Sequence, residues 1–258
     1  MTELKQIQKT VVITGGSSGI GLESAKLILK DPEFKVVIIG RDPDKLADAV
    51  THLDADESRI FTLQADLSDS RQLKKAAEKI ISSQKNLYGL INNAGIYPFG
   101  GVTTTTEESW NQTMDLNLKA PFLLIQELAP HLARHPSGGR VINVSSTAGI
   151  LPNHFALAYS VSKSALIHLT KTLAKELGKD NITVNCVCPG IVKTPIHESY
   201  HATETELEEF YARRGAAFPL GRVGESKDIA GSIRFLLSEE ASWITGSVSV
   251  IDGGRLLL

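Results

Sequence analysis

The chain reads as an α/β protein built on an open, doubly wound parallel sheet of about seven strands with helices on both faces. Three observations predict this. Short apolar runs alternate with longer amphipathic stretches along the whole chain. Several of those runs are apolar at nearly every position, as strands covered on both faces must be. No Pro-, Ser- or Gly-rich linker, internal repeat or low-complexity tract interrupts the alternation, so residues 1–258 are expected to form a single domain.

In chain order, "TVVIT" is the first expected strand, followed by a glycine-rich turn and a helix over 20–29. "KVVIIG" supplies the second strand and precedes a helix over 43–50. "RIFTLQA" leads into a helix over 70–83, and "LYGLIN" into one long helical pattern over 107–134. "RVINVSS" precedes a helix over 156–177, "ITVNCVC" is the sixth strand, and a helix over 226–237 comes before the last strand, "SVSVI". Right-handed crossovers are expected to join the parallel strands. The departure is residues 194–218, where "HESYHATETELEEFYARRGAAF" interrupts the alternation. Its charge run reads either as a solvated helix face or as a substrate lid, since loops at the carboxyl edge of such sheets carry ligands.

Composition is that of an ordinary globular protein, 42% hydrophobic and 22% charged. Lys and Arg total 27 against 29 Asp and Glu, a formal charge of -2, so no broad basic field for nucleic acid or anionic lipid is expected and any anionic ligand must be held locally. Cys186 and Cys188 lie two residues apart in an apolar strand and read as buried reduced thiols, not as a disulfide or zinc site. His131 and His135 share a helical face but lack an acidic third ligand, which reads against a metal. "MTELKQIQKT" has no apolar core of a signal peptide, and no run approaches the ~20 residues that span a bilayer; the expected address is cytoplasmic, with no membrane partner.

Two local patterns suggest chemistry. "TVVITGGSSGIGLESAK" passes from strand to helix through Gly15, Gly16, Gly19 and Gly21. Glycine allows backbone N–H groups to approach phosphate closely, and the helix amino terminus favours a pyrophosphate, though turns also collect glycine for conformational reasons. In "AYSVSKSAL", Tyr159 and Lys163 stand four residues apart, on one helical face, either as a packing pair or as a proton-handling pair.

Taken together, the motifs resemble the short-chain dehydrogenase/reductase family, a Rossmann-like fold. Thr14, Gly15, Gly19 and Gly21 match its T-G-x-x-x-G-x-G; "NNAG", "DLNL", "INVSSTAG", "YSVSK" and "CPGIVKTP" follow in the family's order over nearly the whole chain. The resemblance implies a nicotinamide cofactor held by Gly15, Ser17, Ser18, Gly19, Ile20 and Gly21, with Asp66 and Leu67 near the adenine and Asn93, Ala94 and Gly95 forming the cofactor's floor. It places Pro189, Gly190, Val192 and Thr194 around the nicotinamide, and assigns catalysis to Asn117, Ser146, Tyr159 and Lys163. Tyr159 would be the general acid of carbonyl reduction and the base of alcohol oxidation. Lys163 would lower its pKa and bind the nicotinamide ribose, Ser146 would hold the substrate oxygen, and Asn117 would support a water-linked proton route to Lys163. Ser145 is expected to point to the opposite face from Ser146.

At the tip of the second strand, Gly40 stands at the family's acidic position and Arg41 follows, which favours NADP(H) over NAD(H) because Arg pairs well with a ribose phosphate. Ser18 and Asp42 argue the other way, unless Asp42 caps the next helix. The expected activity is hydride transfer between NADP and a small-molecule carbonyl or secondary alcohol, as a carbonyl reductase. The alternatives are an NAD-linked alcohol dehydrogenase and a non-catalytic nucleotide-sensing regulator. Tyr97, Leu151, His154, His197 and Tyr211 are candidate pocket residues. A homodimer or homotetramer is implied, through the helices beginning near Glu107 and Ala156 and through the "GRLLL" end.

Overall fold

The structure, a computed structural model, describes residues 8–200 and 203–258, and only the backbone of residues 199 and 200. Its strands are β1 (Lys9–Thr14), β2 (Phe34–Gly40), β3 (Ile60–Gln64), β4 (Leu87–Asn92), β5 (Gly139–Val144), β6 (Ile182–Pro189), β7 (Val192–Lys193), β8 (Gly224–Glu225) and β9 (Val248–Ile251). Seven of them form one parallel sheet in the order β3-β2-β1-β4-β5-β6-β9. The expected doubly wound, Rossmann-like sheet is therefore present. β1 pairs with β2 on one side and β4 on the other, so the direction of winding reverses there and a crevice opens beyond their carboxyl ends.

The apolar runs follow from burial on both faces. Val11 and Ile13 of β1 pack with α1 (Gly19–Leu29), α2 (Pro43–Leu53) and α8 (Ser226–Leu237). Val12, between them, faces the opposite layer, made of α3 (Ser70–Ser83), α5 (Ala120–Leu132) and α6 (Leu157–Leu177). Each buried Val, Ile or Leu contributes roughly 1.5–3 kcal/mol of hydrophobic stabilisation, so a polar residue at any of these alternating positions is costly.

Three local features differ from the periodic reading. The long pattern over 107–134 divides into α4 (Glu107–Met114), a π-helical turn at Asp115–Lys119, and α5. Pro121, at the start of α5, has no N–H to donate back to the carbonyl four residues earlier, that of Asn117, so the ordinary ladder fails there. Within 194–218 the charged run forms α7 (Glu204–Ala216), whose first turn is capped by Thr203 Oγ1 accepting from Glu206 N at 3.2 Å; residues 201 and 202 lie outside the described residues. Finally, β7 and β8 pair as a separate two-stranded ribbon, each too short for periodicity to reveal.

Cys186 and Cys188 are buried free thiols with their sulfurs 3.8 Å apart on one face of β6. His135 stacks edge-on against Tyr88 at 4.8 Å and accepts from Ser137 N, so its ring serves the end of β4. Among the described residues no helix is long and apolar enough to cross a membrane.

Candidate active site

The glycine turn and the segment after β4 are tied together at the sheet's crevice. Thr14 Oγ1 accepts hydrogen bonds from Asn93 N and Ala94 N, both at 2.9 Å. The Asn93 amide donates in return to the carbonyls of Thr14 and Gly15, at 3.0 and 3.1 Å. Gly15 and Gly19 have φ of 63° and 53°, the left-handed region that other residues resist. A Cβ on Gly21 would sit 2.2 Å from the Gly15 carbonyl oxygen, so α1 can approach the turn this closely only with glycine there. Ser18 is the N-cap of α1 but makes no side-chain cap, which leaves the first-turn N–H groups facing the crevice. This backbone cradle, which side chains would fill, fits a dinucleotide's pyrophosphate.

At the tip of β2, Arg41 is exposed and lines the same cleft. The Asp42 carboxylate accepts from Asp44 N at 3.0 Å and Lys45 N at 3.2 Å, so it caps α2 and is not left free beside Arg41. Not every expected residue reaches the cleft. Asp66 Oδ1 is engaged by Ser68 N and Ser68 Oγ, at 2.9 and 2.7 Å, and Leu67 is buried in the core. Those two, with Ser17, Gly21 and Asn117, stand outside its lining, whereas Gly15, Ser18, Gly19, Ile20, Asn93, Ala94, Gly95, Pro189, Gly190, Val192 and Thr194 form it.

Tyr159 and Lys163 lie one turn apart on α6, both buried and both on the cleft. Lys163 Nζ donates to the Val144 carbonyl at 2.8 Å and stands 5.7 Å from the centre of the Tyr159 ring. A Cβ on Gly95 would be 3.1 Å from Asn117 Oδ1 and 3.5 Å from Lys163 Nζ, so both groups face that glycine. Asn117 is itself fully clamped: Oδ1 accepts from Ile96 N, and Nδ2 donates to the Ile96 carbonyl and to Ser162 Oγ, at 2.9, 2.9 and 3.1 Å. The π turn brings this residue inward, joining the "NNAG" segment to α6.

The two serines after β5 separate as alternation requires. Ser145 Oγ donates to the Lys163 carbonyl at 2.8 Å, under α6. Ser146 Oγ accepts from Ala148 N at 3.1 Å and stays on the cleft beside Tyr159. Gly149, which follows, lets this turn press onto α6, since a Cβ there would be 2.7 Å from the Lys163 carbonyl carbon.

Burial dominates the electrostatics. It pushes the Tyr159 phenol up to about 12, against smaller opposing pulls from the Ser146 hydroxyl and the Arg255 guanidinium. Burial likewise brings the Lys163 ammonium down to about 8, with Cys186 and Cys188 opposing that change. The expectation that Lys163 lowers the Tyr159 pKa is thus outweighed in the folded chain by loss of solvent around the phenol.

Beyond Tyr159 the cleft widens into a cavity of about 1320 Å³ in all, counted over its whole length. Tyr97 stacks edge-on against Tyr159 at 4.6 Å, and its hydroxyl accepts from Asn153 Nδ2 at 3.1 Å. Tyr97, Leu151, His154 and His197 line the wall as expected. Tyr211 does not. It is buried beneath α7 with Phe218 and Val223, and the adjacent Phe210 faces the cleft instead, because one residue turns a helix by about 100°. Arg214 and Arg255 also line it, and sequence reading missed both. "GRLLL" reads as an apolar tail, yet Leu257 and Leu258 are exposed in this chain while Arg255 turns inward.

The sequence model of the short chain dehydrogenase family matches residues 9–205. The 3-oxoacyl-(acyl-carrier-protein) reductase FabG of Thermotoga maritima is 35% identical over 252 residues, covering 96% of this chain and 98% of that protein. Dehydrogenase/reductase SDR family member 4 of Homo sapiens is 34% identical over 251 residues, covering 95% and 87%. The solved structure described as ElxO with NADP bound superposes with a TM-score of 0.87 at 32% identity, over 97% of this chain and 100% of that one. With its sheet order, its glycine cradle and its family match in agreement, this chain belongs to the short-chain dehydrogenase family and is an oxidoreductase.

Proposed function

We propose that the protein is an NADP-dependent carbonyl reductase, with Tyr159 as proton donor, Ser146 as the group that orients the substrate oxygen, and Lys163 and Asn117 as their support. The observation that carries this reading is the convergence of buried Tyr159 and Lys163 with Ser146 on the cleft that begins at the glycine cradle.

When bound, the nicotinamide supplies the hydride that the carbonyl carbon receives. Ser18, Gly19 and Ile20 would hold the pyrophosphate on backbone N–H groups, with Gly15 shaping the turn; Pro189, Gly190, Val192 and Thr194 would flank the reactive ring. Ser146, its oxygen accepting from Ala148 N and its hydroxyl within hydrogen-bond reach of Tyr159, would turn its hydrogen to the substrate oxygen on binding. Tyr159 is protonated throughout the neutral range, so it can deliver its proton as negative charge develops on that oxygen. Lys163, charged below about 8, then favours the phenolate that remains. In the reverse direction the same phenol must first lose its proton, which its burial opposes in the free chain.

Arg41 at the β2 tip, with Asp42 committed to its cap, supports NADP as the cofactor, and NADP in the ElxO structure agrees with it. Arg41→Ala should weaken NADPH binding by about 10- to 100-fold with little effect on NADH, as expected for one charge-assisted phosphate contact. Fluorescence titration with both cofactors reads this, and equal loss for both would reject the assignment. On the opposite side of the cleft, α7 fits the role of a lid: it carries Phe210 and Arg214 to the wall and connects through the β7–β8 ribbon.

Phe122 on α5 and Val161 on α6 are apolar and exposed at 40% and 43%, on the helices expected to pair between subunits. A homodimer or homotetramer built on that face should appear as a multiple of the 27.9 kDa chain by light scattering, and Val161→Glu should shift it toward monomer.

A further inference from the structure

The charges lining the cleft are of one sign. Among the described residues its wall includes Arg41, Lys163, Arg214 and Arg255 and no aspartate or glutamate. Arg41 lies at the β2 tip, by the cradle, and Lys163 lies beneath Tyr159, so both have a place in cofactor binding and proton transfer. Arg214 and Arg255 have no assigned part in either. They come from remote parts of the chain, the lid helix α7 and the turn after β9, and both line the cleft, with Arg255 near enough to Tyr159 for their charges to interact.

Arg255 is held firmly. Its Nη1 donates to Thr147 Oγ1 at 2.7 Å, which sets the guanidinium beside the residue that follows Ser146. The nearby acid, Asp252, offsets its charge only from a distance: the Asp252 carboxylate accepts from Gly254 N at 2.9 Å and Leu256 N at 2.8 Å, and among the described residues no carboxylate forms an ion pair with Arg255. Arg214 rests over the Phe210 ring at 5.6 Å and likewise makes no ion pair among those residues. Burial, and after it the charge of Arg214, pull the Arg255 guanidinium below its ordinary range, as happens when two like charges share a partly desolvated pocket. Arg255, half-buried and without an ion-paired acid, is costly to keep charged, and a bound anion relieves that cost, while exposed Arg214 adds a second positive charge beside it.

We propose that the substrate carries, besides the carbonyl that is reduced, a carboxylate or phosphate that Arg255 and Arg214 bind in the cleft. This rests on the carbonyl-reductase reading and specifies its substrate class. The reaction itself stays balanced: hydride reaches the carbonyl carbon, Tyr159 gives the oxygen its proton, and the anionic group stays intact as the handle that positions the molecule.

The test compares matched pairs with NADPH on the whole chain. Pyruvate, acetoacetate and levulinate are assayed against their methyl esters, and dihydroxyacetone phosphate against dihydroxyacetone, so that both the spacing and the kind of anion vary. At least one anion should exceed its neutral partner in kcat/KM by about 10- to 100-fold, the worth of a charge-assisted contact. The arm in which this occurs distinguishes carboxylate from phosphate. Arg255→Met and, on the exposed lid helix, Arg214→Met should each bring that ratio toward one, and Arg255→Lys should restore part of it. Neutral partners that equal or exceed every anion, or ratios unmoved in both Met variants, would overturn the inference while leaving the reductase reading intact. Glutarate and dimethyl glutarate, titrated calorimetrically into the NADP-loaded chain, read the arginines without turnover. Glutarate binding that is lost in Arg255→Met, with no carbonyl reduced at all, would keep the anion site and reject the reductase reading.

Discussion

Tyr159→Phe is expected to lower kcat for carbonyl reduction by about 10²- to 10⁴-fold, the contribution of a positioned general acid. NADPH affinity should stay within about threefold, because only the hydroxyl is removed and the ring keeps its edge-on packing against Tyr97. The phenol is buried and protonated at neutral pH, and its neighbours Ser146 and Arg255 pull its ionisation down only slightly against burial. Steady-state kinetics with fluorescence titration of NADPH separate the two effects. Turnover that survived the substitution would remove Tyr159 from proton transfer, and joint loss of cofactor binding would assign it a structural role.

Lys163→Met is expected to raise stability while it lowers activity. Burial moves this lysine from 10.5 to about 8, which corresponds to about 3 kcal/mol of penalty for keeping it charged at neutral pH. Losing its bond to the Val144 carbonyl returns about 1 kcal/mol of that, for a net gain of roughly 2 kcal/mol, or about 5 °C in Tm. The gain should depend on pH with a definite sign. Below about pH 8 folded and unfolded chains are both charged at Lys163, and the folded form bears the full penalty. Between about 8 and 10.5 the unfolded chain holds a proton that the folded one has released, so the native protein gains stability as pH rises and the difference from Lys163→Met closes. Tyr159 adds an opposite slope only above pH 10, since its folded value of about 12 lies above its ordinary 10.0. Melting curves from pH 7 to 9.5 therefore isolate the lysine; a difference that stayed constant or widened would contradict its burial in the charged state.

The lysine prediction also bears on why an oxidoreductase would keep an unfavourable charge. A buried ammonium beside a buried phenol is worth little to the folded chain before reaction and more once the phenol has lost its proton. On the proposed mechanism, stability given up in the resting protein would become stabilisation of the charged state that follows proton transfer. The clamp on Asn117 belongs to the same arrangement. It fixes Ile96 and Ser162, and through them the distance between the "NNAG" segment and the helix that carries Tyr159 and Lys163.

Much of this was legible in local pattern. Val11, Val12 and Ile13 in succession require cover on both faces, and such cover implies parallel strands with helices between them. A spacing of four positions puts Tyr159 and Lys163 on one helical face, and alternation after β5 separates Ser146 from Ser145. Those inferences hold because the periods of helix and strand depend only on the backbone. The π turn at Asp115–Lys119 escaped because widening one turn leaves apolar spacing nearly unchanged, and the place of Pro121 shows only where the ladder is weak. That Phe210 and not Tyr211 meets the cleft escapes the sequence, because no period specifies which side of a charged helix meets a distant wall.

From its sequence alone, then, this protein's sheet, its glycine cradle and the Tyr159–Lys163 pair were determined, since each depends on residues adjacent in the chain or related by a backbone repeat. Only the tertiary structure decided that Asp42 turns away to cap α2, that Asp66 is bound up in its own turn, and that Arg214 and Arg255 converge in a cleft without acids. The physical reason is that the direction and pairing of a polar side chain are set by whichever groups packing brings beside it. For Arg255 the hydrogen-bonding neighbour is Thr147, 108 residues away in the chain.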